Sequence, residues 1–314
     1  MMKMAAGSGR RGGFSKFCQK VYKYRYLYLL ALPTILYFAI FRYAPMSGFV
    51  LAFKKYSPFK GIANSPWIGL DLFKEMFADP FFFTMLRNTC VIAFLKLVFY
   101  FPVPIILAVA LNEVRHNSLK RVLQTVVYFP HFLSWVVAAS LTYFTLSVNV
   151  GFVNQIRYAL GYEQFAYLID SNSFWPMILI QTIWKESGWG TIIFMSAITM
   201  IDQQLYEAAI IDGASRMQRI WHVTLPGIRT TIITLLILRL GQVFDVGFEQ
   251  VLLMQNSMVR DVAEIFDTYA YNQGIMQGQF SLGVAVGLFK SCIGLVFLAG
   301  SNWLVKKLGF EGIY

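Results

Sequence analysis

Six stretches of this sequence are apolar enough, and close enough in length, to cross a lipid bilayer as helices, and that leaves few folds open. Crossing ~30 Å of hydrocarbon takes about 20 helical residues, and a chain in lipid must satisfy its backbone hydrogen bonds internally. The runs fall at residues 26–43, 88–112, 122–146, 173–200, 230–254 and 282–305. Only 14% of the residues are charged, against roughly 25% in a soluble domain. The expected fold class is all-α: a polytopic integral membrane protein of about six transmembrane helices.

The net charge of +11 would suit a nucleic-acid partner if the cations shared one soluble module, but they are spread along the chain. With both termini inside, fifteen Lys and Arg residues fall in cytoplasmic segments and seven in outer ones, the remaining five lying within helices. The positive-inside rule favours that orientation. Lipid is the expected surroundings, the location is a bacterial cytoplasmic (inner) membrane, and no nucleic-acid partner is expected. The first apolar run ends in Phe41-Arg42-Tyr43 without a small-residue cleavage site and reads as a retained helix. Residues 1–25 read as a flexible basic cytoplasmic tail and residues 26–314 as one transmembrane domain. Cys18, Cys90 and Cys292 are too scattered for a disulfide framework or a metal site.

The inner loop between the fourth and fifth runs has its own design. Asp202 is placed to cap a short helix containing Leu205, Ala208, Ala209 and Ile211, and Gly213 can take the left-handed conformation that ends it. Ser215 can cap a second short helix through Trp221 or His222, and Pro226 marks the turn into the next membrane helix. The product is a compact helix-turn-helix across the membrane face. Its Ala208-Ala209 surface admits the backbone of another protein, and Glu207 and Asp212 are free to anchor to donors on that protein.

The spacing Glu207-Ala208-Ala209, three residues, Gly213, nine residues, Val223-x-Leu225-Pro226 resembles the signature of ABC-importer permeases, with Val223 where the family usually has Ile. The stretches 26–33 (YLYLLALP), 56–61 (YSPFKG), 67–70 (WIGL), 87–89 (RNT), 110–113 (ALNE) and 128–135 (YFPHFLSW) resemble the polysaccharide-type branch of carbohydrate-importer permeases, to which alginate oligosaccharide importers belong. This resemblance implies that the loop is a cytoplasmic coupling helix whose Glu207, Ala208, Ala209, Asp212, Gly213, Leu225 and Pro226 engage an ATPase. It also implies a second permease subunit, two ATPase subunits and an extracytoplasmic substrate-binding protein as partners. The cargo implied is an oligosaccharide, with an anionic, alginate-like sugar as one form. ATP and Mg belong to the partner ATPases, because this chain has no Gly-rich Lys-Ser/Thr loop and no cofactor of its own.

Charges inside membrane helices cost roughly 2.5 to 3.5 kcal/mol each on insertion scales, so each needs a partner or a wet cavity. In the fourth run Gln181, Trp184, Lys185 and Gly188 fall on one helical face with Trp189 beside it. In the fifth, Arg239, Gln242, Asp245 and Glu249 share another. These faces are candidates for the substrate path, the Trp rings for sugar stacking and the cations for hydroxyls or carboxylates. The alternative is that Lys185 with Glu186, and Arg239 with Asp245, neutralise one another. His131 reads as a hydrogen-bonded packing residue, and neither His116 nor His222 has metal-ligand neighbours. Gly283, Gly287 and Ser291 permit close packing of the last helix, within this subunit or against a second permease.

Two rivals remain open. A secondary carrier or channel would share the spans but need no docking loop, and an intramembrane enzyme would need a nucleophile-base or metal constellation that the sequence lacks. No catalytic residue is expected.

Overall fold

The computed structural model describes residues 22–309. The tail cations at positions 3, 10, 11, 16 and 20, and Cys18, lie outside the described residues. Two compact units are present, residues 22–51 and 52–309. Residues 25–51 of the first belong to α1 (Arg25–Phe53), which is longer than the apolar run 26–43 that seeded it.

The second unit is helical, and the one β feature among its described residues is an isolated antiparallel bridge between Lys54 and Trp67. After α2 (Asp71–Ala78) come α3 (Phe82–Asn112), α4 (Asn117–Tyr128), α5 (Trp135–Leu146), α6 (Phe152–Ala159) and α7 (Ser171–Thr199). The cytoplasmic-loop candidates are α8 (Gln203–Ile211) and α9 (Arg216–Gly227), followed by α10 (Arg229–Gly241), α11 (Phe248–Met254) and α12 (Phe280–Lys307).

Two of the expected membrane helices are broken. Residues 122–146 were expected as one run, but a 101° bend separates the helical stretch Asn117–Phe132 from α5. Pro130 has no N–H to donate, Leu133 and Ser134 are extended, and the Ser134 hydroxyl accepts from the Val137 N–H at 3.3 Å to start a new helix. Residues 230–254 are likewise interrupted between Gly241 and Phe248, with Gly247 left-handed at φ +94°. Arg239, Gln242, Asp245 and Glu249 therefore do not share a helical face: Arg239 is on α10, Glu249 on α11, and Gln242 and Asp245 lie in the break.

Three wide helical turns have a common cause. In α1, α3 and α9 the residue just before a proline (Ala44, Phe101 and Leu225) donates its N–H five residues back, to Ala39, Lys96 and Ile220. A proline ring clashes with the carbonyl four residues earlier, and a widened turn removes that clash. Pro45, Pro102 and Pro226 are thereby carried without ending their helices.

Helix α7 organises the second unit. At ~1.5 Å per residue its 29 residues extend about 43 Å, more than the ~30 Å of a bilayer core. Its first turns (Phe174, Met177, Ile178) pack with Ile92 of α3, Ala139 of α5, and Val251 and Met254 of α11. Its last turns (Phe194, Met195, Ile198) pack with Ala108, Leu111, Ile201 and Ile228. Between these two apolar clusters lies a buried polar belt: Gln181, Thr182, Lys185, Ser187 and Thr191. In α12, Gly283 packs closely on Gly274 within this chain, whereas a Cβ at Gly287 would meet nothing within 4 Å.

Candidate functional sites: the α8–α9 loop and the polar belt

The α8–α9 loop is set by local chemistry at each end. The Asp202 carboxylate accepts from the Gln204 N–H at 2.9 Å and caps α8. At the other end Gly213 is left-handed at φ +76°, its N–H donates to the Ile210 carbonyl at 3.0 Å, and the Ala214 N–H donates to Ala209 at 2.8 Å. That pair of bonds is a Schellman motif, which satisfies two carbonyls the helix end would leave open. Ser215 and Gln218 then cap each other reciprocally at the start of α9. α9 runs past Trp221 and His222 to Gly227, so the turn falls at Ile228, two residues beyond Pro226, with a bend of 58° into α10.

The loop is fixed to the membrane helices from beneath. Ile201 and Ile228 are buried among the last residues of α7 and the end of α3, and the Tyr206 hydroxyl lies 3.0 Å from the buried Thr224 hydroxyl. Its outer face is open. Leu205, Ile210, Ile211, Met217 and Trp221 are exposed, and neither the Glu207 nor the Asp212 carboxylate has a hydrogen-bond or ion-pair partner among the described residues. A groove of about 270 Å³ between α8 and α9 is lined by Ala209, Asp212, Gly213, Ala214, Gln218, Arg219, His222 and Val223. Clustered exposed apolar side chains suit a partner surface better than water.

The polar belt divides into two groups. In the first, the buried Lys185 ammonium donates to Glu186 Oε1 at 3.0 Å and to the His131 carbonyl at 3.3 Å, and lies 4.8 Å above the Trp135 ring. His131 Nδ1 is 3.0 Å from Glu186 Oε2, and its ring stacks on Trp189 at 5.0 Å. Lys185 is thus held by Glu186. No ion pair joins Arg239 to Asp245, and Gln242, Asp245 and Glu249 are exposed.

In the second group, Gln181 and Trp184 face a cavity of about 740 Å³ between α5 and α7. Thr142, Thr145, Tyr167, Asn172 and Ser173 supply its other polar groups, and no charged residue lines it. Of the eight path candidates, the structure brings Gln181 and Trp184 to this cavity and leaves Lys185, Trp189, Arg239, Gln242, Asp245 and Glu249 off its wall. One residue that matters here escaped the sequence reading. Lys96, 4% exposed in α3, donates to the Val246 carbonyl at 2.8 Å and to Gln250 Oε1 at 3.0 Å. A lysine in the middle of the run 88–112 was itself the signal, because its insertion cost demands a partner.

These features define a class: an all-α membrane subunit whose long helices enclose a polar belt and whose capped helical loop has an open outer face. The chain belongs to the family of binding-protein-dependent transport system inner membrane components, whose model matches residues 100–309. It is 52% identical to Protein LplB of Bacillus subtilis (strain 168), over 92% of this chain and 91% of that protein. It is 48% identical to the polygalacturonan/rhamnogalacturonan transport system permease protein YteP of the same organism, over 94% and 92%. It superposes with a TM-score of 0.87 and 35% identity on a crystal structure of a bacterial alginate ABC transporter in complex with alginate pentasaccharide-bound periplasmic protein, covering 94% of this chain and 99% of that one. The chain is accordingly a permease subunit and not an enzyme.

Proposed function

We propose that this chain forms, with a second and distinct permease, the translocation path of an ATP-driven importer for oligosaccharides released from a uronic-acid-containing polysaccharide. A binding protein delivers the cargo from outside, and two ATPase subunits grip the α8–α9 loop. The chain crosses the membrane six times, at α1, α3, the bent α4–α5 pair, α7, the α10–α11 pair and α12, with both termini cytoplasmic. The observation that carries the cargo class is the 48% identity with a polygalacturonan/rhamnogalacturonan permease along almost the whole chain. The cavity wall agrees with a sugar: Trp184 and Tyr167 offer ring faces, and Thr142, Thr145, Asn172 and Gln181 offer hydroxyl and amide groups. A secondary carrier would have no use for an open loop with unpaired Glu207 and Asp212.

The test is uptake by the complete importer reconstituted in lipid vesicles. Oligogalacturonate should enter only with ATP and binding protein, and Trp184→Ala should lower that uptake about 3- to 10-fold, the value of losing an aromatic contact. Entry without ATP would favour the secondary carrier. Uptake of neutral malto-oligosaccharides in place of oligogalacturonate would reject the acidic cargo.

A further inference from the structure

The second group of the polar belt continues beyond the cavity wall as an unbroken hydrogen-bond chain. Gln181 Nε2 donates to the Thr142 hydroxyl at 2.7 Å, and both residues line the cavity. Gln181 Oε1 accepts from Gln250 Nε2 at 3.0 Å, which also donates to the Ile178 carbonyl at 2.8 Å. Gln250 Oε1 accepts from the Thr182 hydroxyl at 3.1 Å and from Lys96 at 3.0 Å. The chain therefore runs from α3 through α11 and α7 to α5.

Lys96 at one end and the Ile178 carbonyl at the other give this chain its direction. An ammonium has three donors and no acceptor, so Gln250 must turn its oxygen toward Lys96 and its amide nitrogen toward α7. Gln181 must then answer with its oxygen and aim its own nitrogen at Thr142. Lys96 also ties down the break in the fifth span, because its second bond is to the Val246 carbonyl and its ammonium lies 3.2 Å from where a Cβ would stand on the left-handed Gly247. No carboxylate bonds to it, so the ammonium is held by neutral oxygens alone.

We propose that Lys96 is a positioning residue for transport: it clamps the α10–α11 break and, through Gln250 and Gln181, fixes which hydrogen-bonding atoms the cavity wall presents at Thr142. This rests on the reading that the cavity belongs to the cargo path. Lys96 never touches the cargo, and its influence is carried by the Gln250 and Gln181 amides, the second of which donates to a Thr142 hydroxyl whose own proton goes to the Ala138 carbonyl.

The test compares Lys96→Met, which fills the space without donating, with Lys96→Arg, which remains a pure donor, in the assembled importer. Two readouts are taken. One is the KM and maximal rate of ATP-driven oligogalacturonate uptake. The other is the rate at which a membrane-impermeant maleimide labels an Asp245→Cys reporter in the break, in a chain whose native cysteines are replaced by alanine. Lys96→Met should raise KM about tenfold with the maximal rate within about threefold, and should speed labelling about tenfold, as expected when a buried acceptor loses its donor. Lys96→Arg should stay near wild type in both.

The proposal is overturned if either readout for Lys96→Met stays within about twofold of wild type, less than one hydrogen bond is worth, or if Lys96→Arg behaves like Lys96→Met. If Lys96→Met does not assemble, Gln250→Met breaks the same chain one residue later and carries the same expectations. If the wild-type importer takes up no oligogalacturonate, the cargo reading fails, and the labelling rate alone decides for or against Lys96.

Discussion

Replacing Gly213 with valine should abolish most uptake while leaving the importer assembled and its ATPases turning over. Gly213 sits at φ +76°, a region nearly closed to a β-branched residue. A Cβ there would meet nothing within 4 Å, so the penalty comes from the backbone and not from crowding. Left-handed geometry costs an ordinary residue about 1–2 kcal/mol and a β-branched one more, enough to open the two bonds from Gly213 and Ala214 that lock the end of α8. Glu207 and the Ala208-Ala209 surface then lose their fixed angle to α9. Uptake should fall about tenfold or more, while hydrolysis no longer depends on loaded binding protein. Asparagine tolerates the left-handed region, so Gly213→Asn should keep most transport. Parallel measurements of uptake and phosphate release on the reconstituted complex check the prediction.

A second large effect is expected at Gly188, through assembly. An added Cβ would lie 2.3 Å from the Val127 carbonyl oxygen and 2.8 Å from the Tyr128 Cα, so α7 rests there on the backbone of α4. Overpacking a flexible side chain costs about 1–3 kcal/mol, and backbone atoms have less room to yield. Gly188→Val should therefore lower the amount of folded chain several-fold and leave uptake near background. Gly287→Ala is the matched control: it meets open space and removes a helix-weakening glycine, so it should be neutral in the same membranes. Yield after detergent extraction and the thermal midpoint of the purified complex both read this difference.

The local features were legible in the sequence, and the nonlocal ones were not. Asp202, Gly213 and Ser215 announce their roles because a cap or a left-handed turn is decided by neighbours within a few residues, and each acts in the structure as its type predicts. The reciprocal bond from Gln218 was equally local and went unread. Pro226 misled because proline normally ends a helix, whereas the wide turn at Ile220–Thr224 lets this one continue to Gly227. The break between Gly241 and Phe248 was hidden by apolar residues on both sides of it. What holds that break, Lys96, is 150 positions away from Val246. The pairing of Lys185 with its sequence neighbour Glu186 could be posed as an alternative, but only packing shows His131 and Trp135 completing it.

The central claim is that the α8–α9 loop is the grip on the ATPase, and one measurement addresses it directly. Ala208 lies on the exposed surface of α8, so a cysteine there is open to a short bifunctional cross-linker. With Ala208→Cys in an otherwise cysteine-free chain, membranes holding the assembled importer should give a covalent adduct between this chain and an ATPase subunit, in a yield that changes when ATP and vanadate trap the closed state. A complete importer that transports normally yet gives no ATPase adduct from this position, under conditions where the cysteine is readily modified by a small maleimide, would contradict the account.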